Sequence, residues 1–137
     1  MGKMQRNKGQ VGEREFAYLI EENLGIICKR RIEQTRDSGH DLDLYNFAIE
    51  VKRAKEINIK SWWRQTVTNA NQAMKIPVLA YRQDRKQWCV VMSLNHLING
   101  YIIPISERDS VDPENSDMII TFTAKSWFKF VILKKYY

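Results

Sequence analysis

The 137-residue sequence has two cysteines, two histidines and no apolar run near the ~20 residues that a membrane span needs. Cys28 and Cys89 lie far apart, each in an apolar, strand-like context. That spacing excludes a disulfide framework and a zinc-knuckle pattern, and both read as core residues. His40 and His96 are equally remote from each other and match no metal-binding spacing. His40, beside Asp41, reads first as a loop histidine and second as a neighbour of a site. The opening "MGKMQRNKGQ" lacks the apolar core of a signal peptide, and no repeat or low-complexity linker interrupts the chain. What remains is one domain spanning residues 1–137, large enough for a single core, expected in the cytoplasm and off the membrane.

Charged residues make up 28% and hydrophobic ones 44%, the balance of a folded globular domain. Lys and Arg outnumber Asp and Glu by 22 to 16, and the pI is about 9.4, which points to a polyanionic partner. The basic residues cluster at Lys3, Arg6 and Lys8, at Lys29, Arg30 and Arg31, around Lys52, Arg53 and Lys55, and at Lys60 and Arg64. Acids concentrate late, in "SERDSVDPENSD", which reads as a solvated loop turned away from a nucleic acid.

The pattern predicts a helix over about Gln10–Leu24, stopped by Gly25, then strands at about Ile26–Gln34, Asp41–Tyr45 and Phe47–Arg53. A second helix is expected over about Ser61–Lys75, capped by Ser61 and ended by Pro77. "PVLAYRQ" and "QWCVVM" read as a strand pair around the turn Asp84–Lys86. "SLNHLING" reads as a short helix between Ser93 as cap and Gly100 as stop. The tail "TAKSWFKFVILKKYY" fits a helix or a strand, with helix preferred. The order gives an α/β fold on a central mixed β-sheet.

Within "FAIEVKR", Phe47, Ile49 and Val51 alternate with Ala48, Glu50 and Lys52, so a strand of period two puts Glu50 and Lys52 on one face. A half-exposed strand carries such pairs routinely, for about 0.2–1 kcal/mol. The preceding "RDSGHDLDLYN" changes the balance: Asp41 and Asp43 alternate with Leu42 and Leu44, across a tight Tyr45–Asn46 turn. In the first helix Phe16, Ala17, Ile20 and Leu24 make an apolar stripe, with Glu13 in its middle and Glu15 on the opposite side. A carboxylate on a core stripe needs a cation, a metal ion or hydrogen-bond donors; alternatively Glu13 emerges at the sheet edge and favours the helix N-terminus. In the second helix Trp63, Val67, Ala70 and Met74 form the core stripe, and Gln65, Asn69 and Gln72 a polar line on the far side. Trp62 and Trp63 read as core or interface aromatics rather than base-stacking platforms, and Gln65 reads equally as a plain exposed residue.

Glu13, Asp41 or Asp43, and Glu50 with Lys52 thus converge in principle. Oxygen ligands in that number suit Mg²⁺ or Mn²⁺, and Lys52 beside them can orient a water or offset charge developing on phosphate.

"KGQVGEREF", "SGHD" and "IEVKR" together resemble the PD-(D/E)xK nuclease superfamily, and more narrowly the archaeal-type Holliday junction resolvases and their bacteriophage relatives, over about residues 8–83. The resemblance implies a restriction-endonuclease-like fold, a mixed sheet flanked by helices. It implies Glu13, Asp41, Glu50, Lys52 and Gln65 of "WWRQ" as catalytic residues, with Glu13, Asp41, Glu50 and Val51 binding metal. Asp43 competes for the aspartate role, and Ser38 stands near the same loop. Further implied are Mg²⁺, with Mn²⁺ as substitute, DNA as partner, and a homodimer placing paired symmetric nicks in four-way junctions. Other readings are a restriction- or repair-type nuclease on duplex DNA, and a basic DNA-binding module without turnover. No proline precedes the aspartate, and the Asp41-to-Glu50 stretch is short, both departures from the resolvase pattern.

Overall fold

The computed structural model describes residues 2–28, 39–99 and 118–134, with the side chains of 2–8 and 98–99 left aside. Lys29 to Arg31, Ser38, Gly100, the acidic segment 106–117 and most of the strand expected over 26–34 lie outside those residues. The nine described elements are α1 (Gly2–Leu24), β1 (Leu42–Leu44), β2 (Phe47–Ala54), α2 (Ile59–Gln72), β3 (Ile76–Gln83), β4 (Cys89–Ser93), α3 (Leu94–Asn99), β5 (Ile119–Thr123) and α4 (Ala124–Lys134). One five-stranded sheet runs in the order β1-β2-β3-β4-β5. β2 and β3 are parallel, joined through α2, while the other pairs are antiparallel. This is the α/β arrangement on a mixed sheet that the element order implied.

The sheet is covered on both sides. Phe47, Ile49, Val51, Val78, Val90 and Met92 face α1 and α4, where Phe16, Ile20, Trp127, Phe128 and Val131 complete the larger core. Leu79 and Val91 point the other way and pack under Trp63 and Val67 of α2. Because α2 lies over β2, the charged face of "FAIEVKR" is not a solvent face: Ala48 is fully buried and Glu50 is 3% exposed. The half-exposed alternative for that strand does not hold.

α1 begins well before Gln10, since Lys3, Met4, Gln5 and Arg6 favour helix and Gly9 alone does not stop it. It ends as expected, with Gly25 at φ 70° and its N–H donating to the Glu21 carbonyl at 2.8 Å. The line that meets the sheet is Gly12–Phe16–Ile20. At Gly12 a Cβ would stand 3.3 Å from the Arg53 Cβ and 3.7 Å from Val51 Cγ1, so the bare backbone sets how closely the helix approaches β2. Glu13 and Glu15 consequently flank that line on either side. Glu15 does not point away: its carboxylate accepts from Arg53 Nη1 at 2.9 Å, Arg82 Nη1 at 3.0 Å and Trp88 Nε1 at 3.2 Å.

Residues 26–28 are not strand. Cys28 is buried nonetheless, and its thiol, with a pKa raised to about 11 chiefly by burial, donates to the Asp43 carbonyl at 2.8 Å. α2 is capped by Asn58 rather than Ser61: Asn58 Oδ1 accepts from the Ser61 N–H at 3.2 Å. The helix stops at Gln72, ahead of Pro77. Lys75 N donates to Ala70 O at 2.9 Å and Met74 N to Asn71 O at 3.1 Å, a Schellman closure with Met74 in the left-handed region at φ 55°. Met74 therefore leaves the core stripe and is 64% exposed. α3 starts at Leu94, with Ser93 Oγ accepting from Asn95 N at 3.2 Å. The tail is helical over Ala124–Lys134, and the strand β5 ahead of it was not among the expected elements.

Candidate active site

Asp41 enters from the edge of the sheet. Its N–H donates to the Ile49 carbonyl at 2.9 Å, while Ile49 is also the residue facing Leu42 in the ladder, so Asp41 sits where β1 meets β2. Its carboxylate accepts from the Val51 N–H at 2.8 Å. This brings Asp41 against Glu50 on the α2 side of β2. Burial and the Glu50 charge, with a further push from Glu13, raise the Asp41 carboxyl to about 8, against the Val51 N–H and Lys52. Glu50 is also raised, by burial, while Lys52 and Asn69 pull the other way. Two carboxylates in one pocket therefore hold at least one proton near neutrality.

Lys52 Nζ stands 3.6 Å from Glu50 Oε1, as a same-face i, i+2 pair requires. The other oxygen of Glu50 accepts from Asn69 Nδ2 at 3.1 Å. Asn69 is 3% exposed, so it belongs to the covered face of α2 and not to a polar line on the far side. Gln65, one turn earlier on the same stripe, is exposed. The amide that reaches the acidic pair is thus Asn69, and only the three-dimensional packing of α2 on β2 identifies it.

Asp43 is placed differently. Its carboxylate accepts from Lys75 Nζ at 2.7 Å and from His40 Nε2, and those two partners hold its pKa below the usual range despite its burial. His40 precedes the strand, as a loop residue would, yet is 3% exposed. Glu13 is half-buried and close enough to repel Asp41. Among the described residues no three His, Cys, Asp or Glu side chains come together as a metal cluster. The Asp41–Glu50 pair fits a hard divalent cation all the same, because such an ion binds through one or two carboxylates, keeps its waters, and offsets the negative charge that burial disfavours there.

The surface that follows β2 carries exposed charges of both signs, with Glu56 among the basic residues. The β2–α2 connection and the first turns of α2 expose Lys55, Lys60 and Arg64. No helix among the described residues is long and apolar enough to cross a membrane.

Residues 4–129 match the family model described as "Phage putative PDDEXK endonuclease". No curated protein matches the chain. Among solved structures the chain is similar to Archaeoglobus fulgidus Hjc, a Holliday junction resolvase from an archaeal hyperthermophile. Identity is 22%, the match covers 60% of this chain and 74% of that one, and the TM-score is 0.46. A likeness that loose carries no substrate from one protein to the other. The mixed sheet flanked by helices is the restriction-endonuclease-like fold, and the chain belongs to the phage PDDEXK endonuclease family.

Proposed function

We propose that this endonuclease is divalent-metal-dependent and cleaves branched DNA, with four-way junctions as the preferred substrate and a homodimer as the working form. The observation that carries the metal dependence is the buried Asp41–Glu50 pair with Lys52 at its rim. Asp41 and Glu50, with Glu13 and Val51 beside them, are the residues to hold Mg²⁺ or Mn²⁺. Such an ion supplies positive charge to the scissile phosphate and lowers the pKa of a bound water. Glu50 is held from behind by Asn69, leaving its Oε1 side toward Lys52. Lys52 orients the attacking water and offsets the charge that develops on phosphate. Gln65, exposed one turn from Asn69, lies where it can meet substrate entering over α2. Lys55, Lys60 and Arg64 supply further cations beyond Lys52, as a phosphate backbone requires. Action on DNA puts the protein in the cytoplasm.

The preference for junctions is supported by the motif order "KGQVGEREF", "SGHD", "IEVKR". A dimer recognising backbone geometry favours a four-way junction over duplex of the same sequence and cuts two strands related by two-fold symmetry. Gel-shift competition and mapping of cuts on a labelled immobile junction test this. Paired symmetric nicks and tighter junction binding are expected. Equal affinity for linear duplex, or scattered cuts, points to a restriction- or repair-type nuclease instead.

A further inference from the structure

Asp41 reaches Glu50 from the segment that leads into β1, with its carboxylate bonded to the Val51 N–H at 2.8 Å. Its place beside Glu50 therefore depends on how firmly that short segment is held. The strand that carries it is three residues long and lies at the sheet edge, so its ladder to β2 is a weak anchor. Three further contacts converge on it. His40 and Asp43, the residues that bracket Asp41 and Leu42, are joined through His40 Nε2 and Asp43 Oδ1. Lys75 Nζ reaches the same Asp43 oxygen at 2.7 Å from the turn between α2 and β3. Cys28 Sγ donates to the Asp43 carbonyl. The turn that presents Lys75 is itself fixed, since Lys75 N closes α2 onto Ala70 O, one residue from Asn69. A continuous path thus runs from the helix that holds Glu50 to the loop that holds Asp41.

We propose that Lys75, acting through Asp43 and His40, is a positioning residue that keeps the Asp41 carboxylate beside Glu50 so that a divalent cation meets an assembled pair. Asp43, the alternative aspartate by sequence, then serves as the rivet of this strap and not as a ligand. Its carboxylate is turned to Lys75 and His40, whereas Asp41 is the one bonded to the Val51 N–H. Lys75 lies 32 residues from Asp43 in sequence and bonds to Asp43 rather than to Asp41 or Glu50, so its effect on cleavage passes through Asp43. The inference rests on the reading that Asp41 and Glu50 take a divalent cation.

The test uses the full chain with Mn²⁺, reading its affinity by electron paramagnetic resonance in the absence of DNA, and kcat and KM on whichever DNA the wild-type protein cuts. Lys75→Met is expected to weaken Mn²⁺ binding and lower kcat by about tenfold or more, as loss of a support behind a ligand does. KM for DNA should stay within about twofold, the mark of an effect confined to the chemical step. Asp43→Asn should do the same, the double variant should add little, and Lys75→Arg should restore both quantities. Lys75→Gln, polar but uncharged, replaces Lys75→Met if circular dichroism shows that variant unfolded. Unchanged Mn²⁺ affinity and kcat in folded Lys75→Met overturn the strap. So does a lethal Asp43→Asn beside an unaffected Lys75→Met, which makes Asp43 a ligand. A wild-type protein that binds no Mn²⁺, or an Asp41→Asn variant that cuts normally, overturns the metal reading beneath it.

Discussion

Asn69 donates its side-chain amide to Glu50 Oε2 at 3.1 Å, from 19 residues away and from inside the packed face of α2. Both groups are all but fully buried. The helix that closes over β2 therefore orients the acid of the Glu50–Lys52 pair and leaves its second oxygen toward the lysine.

Asn69→Ala removes the donor and leaves a buried carboxylate oxygen without it. Stability is expected to fall by about 1–3 kcal/mol, the range for a lost hydrogen bond to a charged buried group. Cleavage should fall by about tenfold or more with DNA binding retained. Chemical denaturation and single-turnover kinetics measure the two effects. Full activity would mean that Glu50 orients itself.

The raised Asp41 carboxyl makes the stability of the metal-free protein pH-dependent. Between the ordinary carboxylate range and about 8, the unfolded chain releases this proton while the folded one keeps it. The unfolded state then binds fewer protons, so stability falls as pH rises through that window and levels off above it. Asp41→Asn should flatten this part of the profile and stabilise the metal-free protein at pH 8. Divalent cation should reverse the slope for the wild type and release protons on binding near neutrality. Thermal melting at pH 5 and pH 8, with and without Mg²⁺, checks the sign. A metal-free protein that gains stability across the window would contradict the buried pair.

Met74 holds a left-handed conformation at the end of α2, where a glycine would be unstrained. Met74→Gly is expected to stabilise the fold by up to about 1 kcal/mol, because relief of the Cβ clash outweighs the added freedom of the unfolded chain. A lower denaturation midpoint would show that the methionine side chain, though 64% exposed, contributes more than its backbone strain costs.

The acidic set was legible because strand periodicity is a local property. Glu50 and Lys52 share a face of their strand by alternation alone, and the pairing of β1 with β2 brings Asp41 to the same place. What could not be read were matters of tertiary packing. Whether Glu50 faces water or a helix depends on α2 lying over β2, so Asn69 passed for an exposed residue. Asp41 and Asp43 are equivalent by alternation and differ only through their partners, Val51 N–H for one and Lys75 with His40 for the other. Gly12 shifted the contact line of α1, which moved Glu15 onto Arg53 and Arg82. The Schellman end of α2 carries Met74 where the usual signal is glycine, and the polar Asn58 outcompeted Ser61 as cap by starting the helix two residues sooner.

The most direct test of the central claim is cleavage of labelled DNA, duplex and four-way junction side by side, by the wild-type protein, Asp41→Asn and Glu50→Gln, with Mg²⁺ or with chelator. The wild type should cut only with Mg²⁺, and both variants should lose cleavage by at least about a hundredfold while still binding DNA in Ca²⁺, since each removes a carboxylate that holds the ion. Cleavage that persists in chelator, or at wild-type rates in either variant, would contradict a metal site built on Asp41 and Glu50.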